Sequence, residues 1–370
     1  MFDTNRLARI WSCPATWFGN SVQNDLATPF TFFMKRQSLY FTAPFAIEAR
    51  EEPLPTPAAH QVLVQTIVSA ISPGTETLLY RGQFPQDVPV DETIAALDSA
   101  FGYPLKYGYA AVGRVAALGS AVDANAIQLD QLVFAFNPHE SHFIADADTL
   151  WPLPEGMEPE TAVFLPNMET AVSFVMDSQP MIGERTAVFG QGVVGLLTTS
   201  LLSQFPLTHL TTLDVHLLRR QWSRQLGADA SLDPAAPDVL AQLQELKADL
   251  ALELSGNPAA LNAAIACVGF NGRVLVGSWY GQKQAALNLG GKFHRNQIRL
   301  ISSQVSHIAP QWRGRWDKSR RWQVAAEQLT RIRPERLITH RFPIAHAAQA
   351  YQLLDQQPEE VIQVVFTYET

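Results

Sequence analysis

The most telling residues are three glycines. Gly190-Gln191-Gly192-Val193-Val194-Gly195 follows a short apolar run, residues 185–189, and opens an apolar stretch with helical spacing. The pattern suits a phosphate cradle. Gly190 permits a tight turn, Gly192 lets backbone approach a pyrophosphate, and Gly195 lets a helix pack closely on a sheet. The helix that follows would offer unpaired N–H groups and the positive end of its dipole to the phosphates. A second predicted strand, residues 207–214, ends in Asp214. An acid about 20 residues beyond the glycines suits the ribose hydroxyls of an adenine dinucleotide and repels a 2′-phosphate. NAD is therefore expected over NADP. Arg219 and Arg220 follow closely and weaken that preference. The plain alternative is a tight turn with a surface aspartate. Gly277-Ser278-Trp279 follows another strand and would face the same crevice, its backbone placed to hold the nicotinamide amide; a merely glycine-flanked loop is the other reading.

The elements around these residues fall into two styles. Residues 38–48, 62–68, 109–118 and 131–137 read as strands, with a Pro-rich turn at 51–57 and a Gly/Pro loop at Ser72-Pro-Gly-Thr-Glu76. A short helix is predicted near residues 92–100. From about residue 160 the pattern alternates: helix 161–177, strand 185–189, helix 193–204, strand 207–214, helix 217–226, strand 249–254, helix 258–268, strand 273–276. That alternation predicts a parallel α/β unit. Helices at 320–329 and 344–354 and a strand at 362–368 follow. The expected organisation is an extension, 1–33, that is weakly ordered or precedes a natural start at Met34; a β-rich part, 34–166; a dinucleotide-binding part, 167–303; and a C-terminal return, 304–370.

Composition bounds the function. The chain has 370 residues, with 27 Lys and Arg against 35 Asp and Glu, a net charge of −8. Bulk nucleic-acid binding is disfavoured. Two cysteines exclude a disulfide framework and a four-cysteine zinc knot. No apolar run reaches 18 residues, so no membrane span is expected. A clean signal peptide is missing too, and a cytoplasmic location is expected.

The order resembles the medium-chain dehydrogenase/reductase superfamily over about residues 38–368. The resemblance rests on Pro53-Leu-Pro55, Val62-Leu-Val64, Ser72–Glu76, Gly108–Gly113, the glycine loop, Leu226-Gly-Ala-Asp229 and Glu253-Leu-Ser255-Gly256. It implies an α/β fold: a GroES-like β-rich catalytic domain with an inserted Rossmann domain, a doubly wound parallel sheet. It also places Ser255 at the cofactor. ISPGTE (71–76), YGYAAVGRV (107–115) and FHRNQIRLISSQVS (293–306) are most similar to a branch that includes the hydroxyethyl-bacteriochlorophyllide dehydrogenases. A homodimer through residues 287–302 is implied as well.

The departures decide the chemistry. Zinc members carry Cys in the first loop, His-Glu in the next motif, and Cys or Glu near Pro166. Here the matching residues are Ser72, Tyr109-Ala110 and, approximately, Pro166, and the structural-zinc lobe is absent. Zinc binds thiolate, imidazole or carboxylate, so a zinc-free enzyme is expected. The candidates for handling the proton are Tyr109 and Ser72 at the former ligand positions, and Lys106, near enough in sequence to lower the Tyr109 pKa. Glu76 and Glu169 are candidate bases. His294 titrates near neutrality. Each has a plainer reading: pocket wall, turn residue, surface charge, structural partner, helix-start acid, interface residue.

The expected reaction interconverts a secondary alcohol and a carbonyl with NAD(H). Reduction of C=C bonds with NAD(P)H, and nucleotide binding without catalysis, are the alternatives. The run Trp312-Arg-Gly-Arg-Trp-Asp-Lys-Ser-Arg-Arg-Trp322 is densely basic and aromatic, fit for an anionic, planar small molecule or simply a solvated helix start.

Overall fold

The computed structural model describes residues 35–85 and 101–369. The extension 1–33 and the helix predicted near 92–100 lie outside them. A hairpin opens the described chain: β1 (Lys35–Ala43) pairs antiparallel with β2 (Ala46–Pro53). The single strand expected at 38–48 is thus the two arms of a turn at Pro44-Phe45, and Phe45 holds a positive φ of 61°.

A seven-stranded sheet follows, from β3 (Gln61–Ala70), β4 (Ala111–Leu118), β5 (Leu132–Ala135), β6 (His142–Asp146) and β7 (Trp151–Pro152). Helix α1 (Pro73–Tyr80) leaves the end of β3. The expected Gly/Pro loop is a helix because Ser72 is its N-cap and Pro73 stands at its first position, where a missing N–H is harmless. Helices α2 (Pro159–Ala162) and α3 (Leu165–Ser178) then carry the chain out. One helix was expected at 161–177; the break falls before Leu165-Pro166.

The second sheet is parallel. It comprises β8 (Arg185–Phe189), β9 (His209–Leu213), β10 (Ala230–Leu232), β11 (Ala248–Glu253), β12 (Val268–Val276) and β13 (Arg299–Ser302). Its spatial order is β10-β9-β8-β11-β12-β13, the doubly wound order of a dinucleotide-binding sheet. Helices α4 (Val193–Leu202), α5 (Leu217–Gln225), α6 (Val239–Leu246) and α7 (Pro258–Cys267) make the crossovers. Strands β8 and β11 read as apolar runs because both faces are covered: Ala187, Val188, Leu250, Ala251 and Leu252 are fully buried.

After β13, α8 (Lys318–Ile332) packs on α3, and β14 (Ile338–Pro343), α9 (Ala347–Gln356) and β15 (Gln363–Thr367) re-enter the first sheet, where β15 pairs with β3. The chain leaves the first sheet and returns to it. One apolar cluster joins both parts, with Val68, Val112 and Phe134 from the first sheet and Val193, Leu196 and Leu197 from α4.

Candidate active site

The glycine loop has the geometry its spacing predicts. Gly190 lies at φ +91°, and a Cβ there would sit 2.6 Å from the Ser255 backbone. A Cβ on Gly195 would fall 2.0 Å from the Gly190 carbonyl oxygen. Gly192 caps α4, and nothing stands within 4 Å of where its Cβ would be. The approach to the first turn of α4 is therefore open, and the leading amides of Val193, Val194 and Gly195 have no carbonyl within the helix to bond. This arrangement fits a dinucleotide pyrophosphate.

Asp214 sits just past β9, 7% exposed. Its two oxygens accept from the Gln191 amide at 2.7 Å and the His216 amide at 2.8 Å. Each oxygen keeps a second lone pair for a ribose hydroxyl. The Gln191 side chain points inward, bonded to the Gly190 carbonyl and the Thr199 hydroxyl, so only its backbone borders the cradle. Arg219 departs from its expected cofactor role. Its guanidinium donates to the carbonyls of Pro358 at 3.0 Å and Val361 at 3.1 Å, and burial lowers its pKa. Arg220 is spent on the carbonyls of Asp214 and Val215 and on Asp233. Arg219 also lies 4.0 Å from Asp214.

On the nicotinamide side, sequence reasoning missed Glu253. It is fully buried at the end of β11. One oxygen accepts from the Ser255 amide and hydroxyl, the other from the Tyr280 hydroxyl at 2.6 Å. Ser278 accepts from the Gly256 amide at 2.8 Å. Thus the Gly256–Ser278 and Tyr280–Glu253 bonds tie two strand-end loops together. Gly277 is required by packing: a Cβ would meet the Phe174 ring at 2.5 Å. Trp279 stands edge-on to Phe84, centroids 5.2 Å apart, and brings this loop against the chain leaving α1.

At the head of α1 the other half of the site assembles. The Tyr109 hydroxyl donates to Ser72 Oγ, joining the two former ligand positions. Tyr109 packs between two apolar clusters. Glu76, fully buried, reaches back one turn and accepts from the Ser72 amide at 2.7 Å. It also accepts from the Tyr351 hydroxyl of α9 and meets His139 Nε2 at 3.1 Å. His139 Nδ1 is hydrogen-bonded to Ser69 Oγ at 2.7 Å, and Ser69 meets the Tyr368 hydroxyl at 2.6 Å. Burial first, and the Glu76 charge second, push the Tyr351 pKa far up, so its hydroxyl stays a donor.

His139 and Tyr351 were not foreseen. A signal existed for His139: Asn137-Pro-His139-Glu140 is a dense polar run straight after an apolar strand. Gly108 makes room for it, because a Cβ at φ +124° would stand 2.9 Å from the imidazole.

Three expected catalytic residues go elsewhere. Lys106 Nζ lies 2.6 Å from Glu52 and 2.7 Å from Glu140, over the Tyr40 ring, so its charge is spent on the β1–β2 hairpin and not on Tyr109. Glu169 is buried with Arg321 of α8, at 2.9 and 3.1 Å. Burial raises its pKa against the pull of Arg321; it locks α3 to α8 instead of facing a reactant. His294 is exposed at the C-cap of the π-helical turn Leu289–Phe293.

The zinc question can be put to these residues directly. Ser72 and Tyr109 offer hydroxyls, and among the described residues no group of three or more His, Cys, Asp or Glu is disposed to hold a metal. This donor set does not fit zinc.

A parallel sheet with a glycine cradle at its switch point, entered from and returning to a β-rich sheet, defines a two-part dinucleotide-dependent oxidoreductase fold. The model of a family described as zinc-binding dehydrogenase matches residues 193–321. That stretch begins after Ser72, Tyr109 and Pro166. L-threonine 3-dehydrogenase of Stenotrophomonas maltophilia is 26% identical over 257 residues, 60% of this chain and 71% of that one. D-guloside 3-dehydrogenase of Escherichia coli is 25% identical over 333 residues, 84% of this chain and 93% of that one. A solved short chain alcohol dehydrogenase of E. coli, complexed with NADH, superposes with a TM-score of 0.73 at 19% identity, covering 90% of this chain and 99% of that one. The chain is thus similar to dehydrogenases of the zinc-binding type and shares their fold.

Proposed function

We propose that this protein interconverts a secondary alcohol and a carbonyl with NAD(H), without zinc. The observation that carries the reading is the Tyr109–Ser72 hydroxyl pair, standing at the former metal-ligand positions. Bound NAD(H) supplies hydride exchange with the substrate carbon. In the reducing direction Tyr109 Oη gives its proton to the substrate oxygen, while Ser72 Oγ keeps that hydroxyl aligned. In oxidation the proton returns along the same path. Glu76 holds the Ser72 amide, and His139 and Tyr351 hold Glu76. NAD over NADP is supported by Asp214 beside the cradle and by the commitment of Arg219 and Arg220 to other partners. A dimer through β13 is consistent with its place as an edge strand with mostly exposed residues. Similarity to the bacteriochlorophyllide branch remains a proposal carried by residues 71–76, 107–115 and 293–306.

The test is turnover of a panel of secondary alcohols, ketones and enones by the metal-free protein and by Tyr109→Phe. A positioned acid contributes about 10²–10⁴-fold. The variant should lose about that much kcat on alcohols and ketones while NADH still binds. Full turnover by Tyr109→Phe removes the tyrosine from the mechanism. Activity on enones alone would move the protein to the C=C reductases.

A further inference from the structure

The proposed reaction makes no use of the basic, aromatic stretch between β13 and α8, yet its Lys318 end reaches Phe136, across the sheet from the residue after Tyr109. Register places it. Ala111 of β4 pairs with Ala135 of β5, so Phe136, one residue on, lies across from Ala110, next to Tyr109. The Lys318 ammonium at the start of α8 stands 5.0 Å over the Phe136 ring. Arg321, three residues later, is buried and fixed by Glu169, Ser173 and the carbonyls of Val305 and His307. The first turn of α8 is therefore held rigidly beside the Tyr109 end of β4.

Charge in this place is unbalanced. Two acids stand at this turn: buried Glu169 is bonded to Arg321, and Asp317 caps the helix by accepting from the Arg320 amide. Among the described residues, none of Arg313, Arg315, Lys318 and Arg320 pairs with a carboxylate, and all four are exposed. Arg315 and Arg320 lean on Trp312 and Trp316, at 5.6 and 4.2 Å from the ring centroids. With Asp317 as the one acid among four cations, this is a local excess of positive charge in a chain of net charge −8. A neutral substrate gives no reason for it. A second observation concerns Trp312 alone: its indole Nε1 is buried and meets no acceptor in the protein. A buried donor left unpaired costs about 1–3 kcal/mol, and an anionic oxygen would satisfy it.

We propose that residues 312–320 form an anion-recognising wall of the substrate cleft, with Lys318 nearest the reacting centre. The substrate is then an alcohol or ketone that also carries a carboxylate or phosphate. The proposal rests on the alcohol–carbonyl reading for its substrate, but its binding arm stands apart from turnover.

The experiment uses the full chain saturated with NADH. Acetophenone, 4-acetylbenzoate and 4-acetylphenyl phosphate are titrated by calorimetry, and each is then assayed for reduction. One or both anionic ketones should bind about tenfold or more tighter than acetophenone, the size of one charge-assisted contact. The advantage should shrink as salt is raised. The double variant Arg313→Gln/Lys318→Gln, altered at exposed positions, should bind all three alike with NADH affinity unchanged. Carboxylate favoured over phosphate, or the reverse, identifies the headgroup. Equal binding of the three ketones, failure of both anions to bind, or an advantage that survives the double variant overturns the wall. Preferential anion binding without reduction of any ketone would keep the wall and sink the alcohol–carbonyl reading. Equal binding with efficient reduction would do the opposite.

Discussion

The cofactor cradle and the hydroxyl site are built in opposite ways. The cradle is local. Gly190, Gly192 and Gly195 do their work through backbone within six consecutive residues, and Asp214 joins them from the adjacent strand. The hydroxyl site is assembled from a distance. Ser72 and Tyr109 are 37 residues apart, Glu76 and His139 63, and Glu76 and Tyr351 275. The bonds of Glu76 to Tyr351 and of Ser69 to Tyr368 form only once the chain has returned through α9 and β15. The difference teaches where each half is vulnerable. A cradle fails by a clash at one atom, whereas a dispersed network fails by the loss of one partner that leaves others buried and unsatisfied.

The sharpest way to break this comparison is at Gly195. A methyl group there would collide with the Gly190 carbonyl, backbone against backbone, with nowhere to move. Gly195→Ala should abolish measurable NADH binding, a loss of about 100-fold or more by the 1.4 kcal/mol-per-decade scale, read by fluorescence titration. Normal binding by the variant would show that the loop is not the cradle.

Next in size is Glu76→Gln. The amide keeps the shape but presents an N–H₂ group to donors. At least one of the Ser72 amide, Tyr351 hydroxyl and His139 then loses its acceptor, at about 1–3 kcal/mol. The melting temperature should fall, kcat should fall with it, and NADH affinity should stay. A variant with unchanged kcat would make Glu76 a packing residue only.

The smallest effect separates Lys106 from the site. Burial alone would raise the Glu52 pKa, but hydrogen bonds from Lys106, Tyr40 and Ser38 outweigh it and hold the carboxyl at about 2, against an ordinary 4.5. A carboxyl depressed on folding contributes stability that is complete above its ordinary value and is lost as pH falls toward and through about 2. Thermal melts from pH 7 to pH 2 should show this loss. Lys106→Met should reduce it and leave the pH profile of turnover in place. A shifted kinetic profile would return Lys106 to the side of Tyr109.

Much of the parallel sheet was legible in the residues, because every strand buried on both faces must be an apolar run. The expected strands at 185–189, 207–214, 249–254 and 273–276 correspond to β8, β9, β11 and β12. The short edge strand β10 escaped notice, since an edge needs less apolar surface. So did the helix at Ser72–Tyr80, where Pro and Gly read as loop although Pro suits a first turn. In the site, the glycines and Asp214 were legible. Glu169 and Lys106 were misjudged because sequence proximity says nothing about which opposite charge a folded chain will bring up.

The residues alone made the glycine loop and the parallel sheet legible, through glycine's lack of a Cβ and through strand and helix periodicity. That Ser72 and Tyr109 stand where zinc members carry ligands is what the family resemblance implies. Folding alone brings Tyr109 to Ser72, His139 and Tyr351 to Glu76, and Arg321 to Glu169, with Lys318 left without a carboxylate ion pair. The physical reason is the same in each case. A buried polar group must find a partner, and which partner it finds depends on segments far along the chain that only folding brings together.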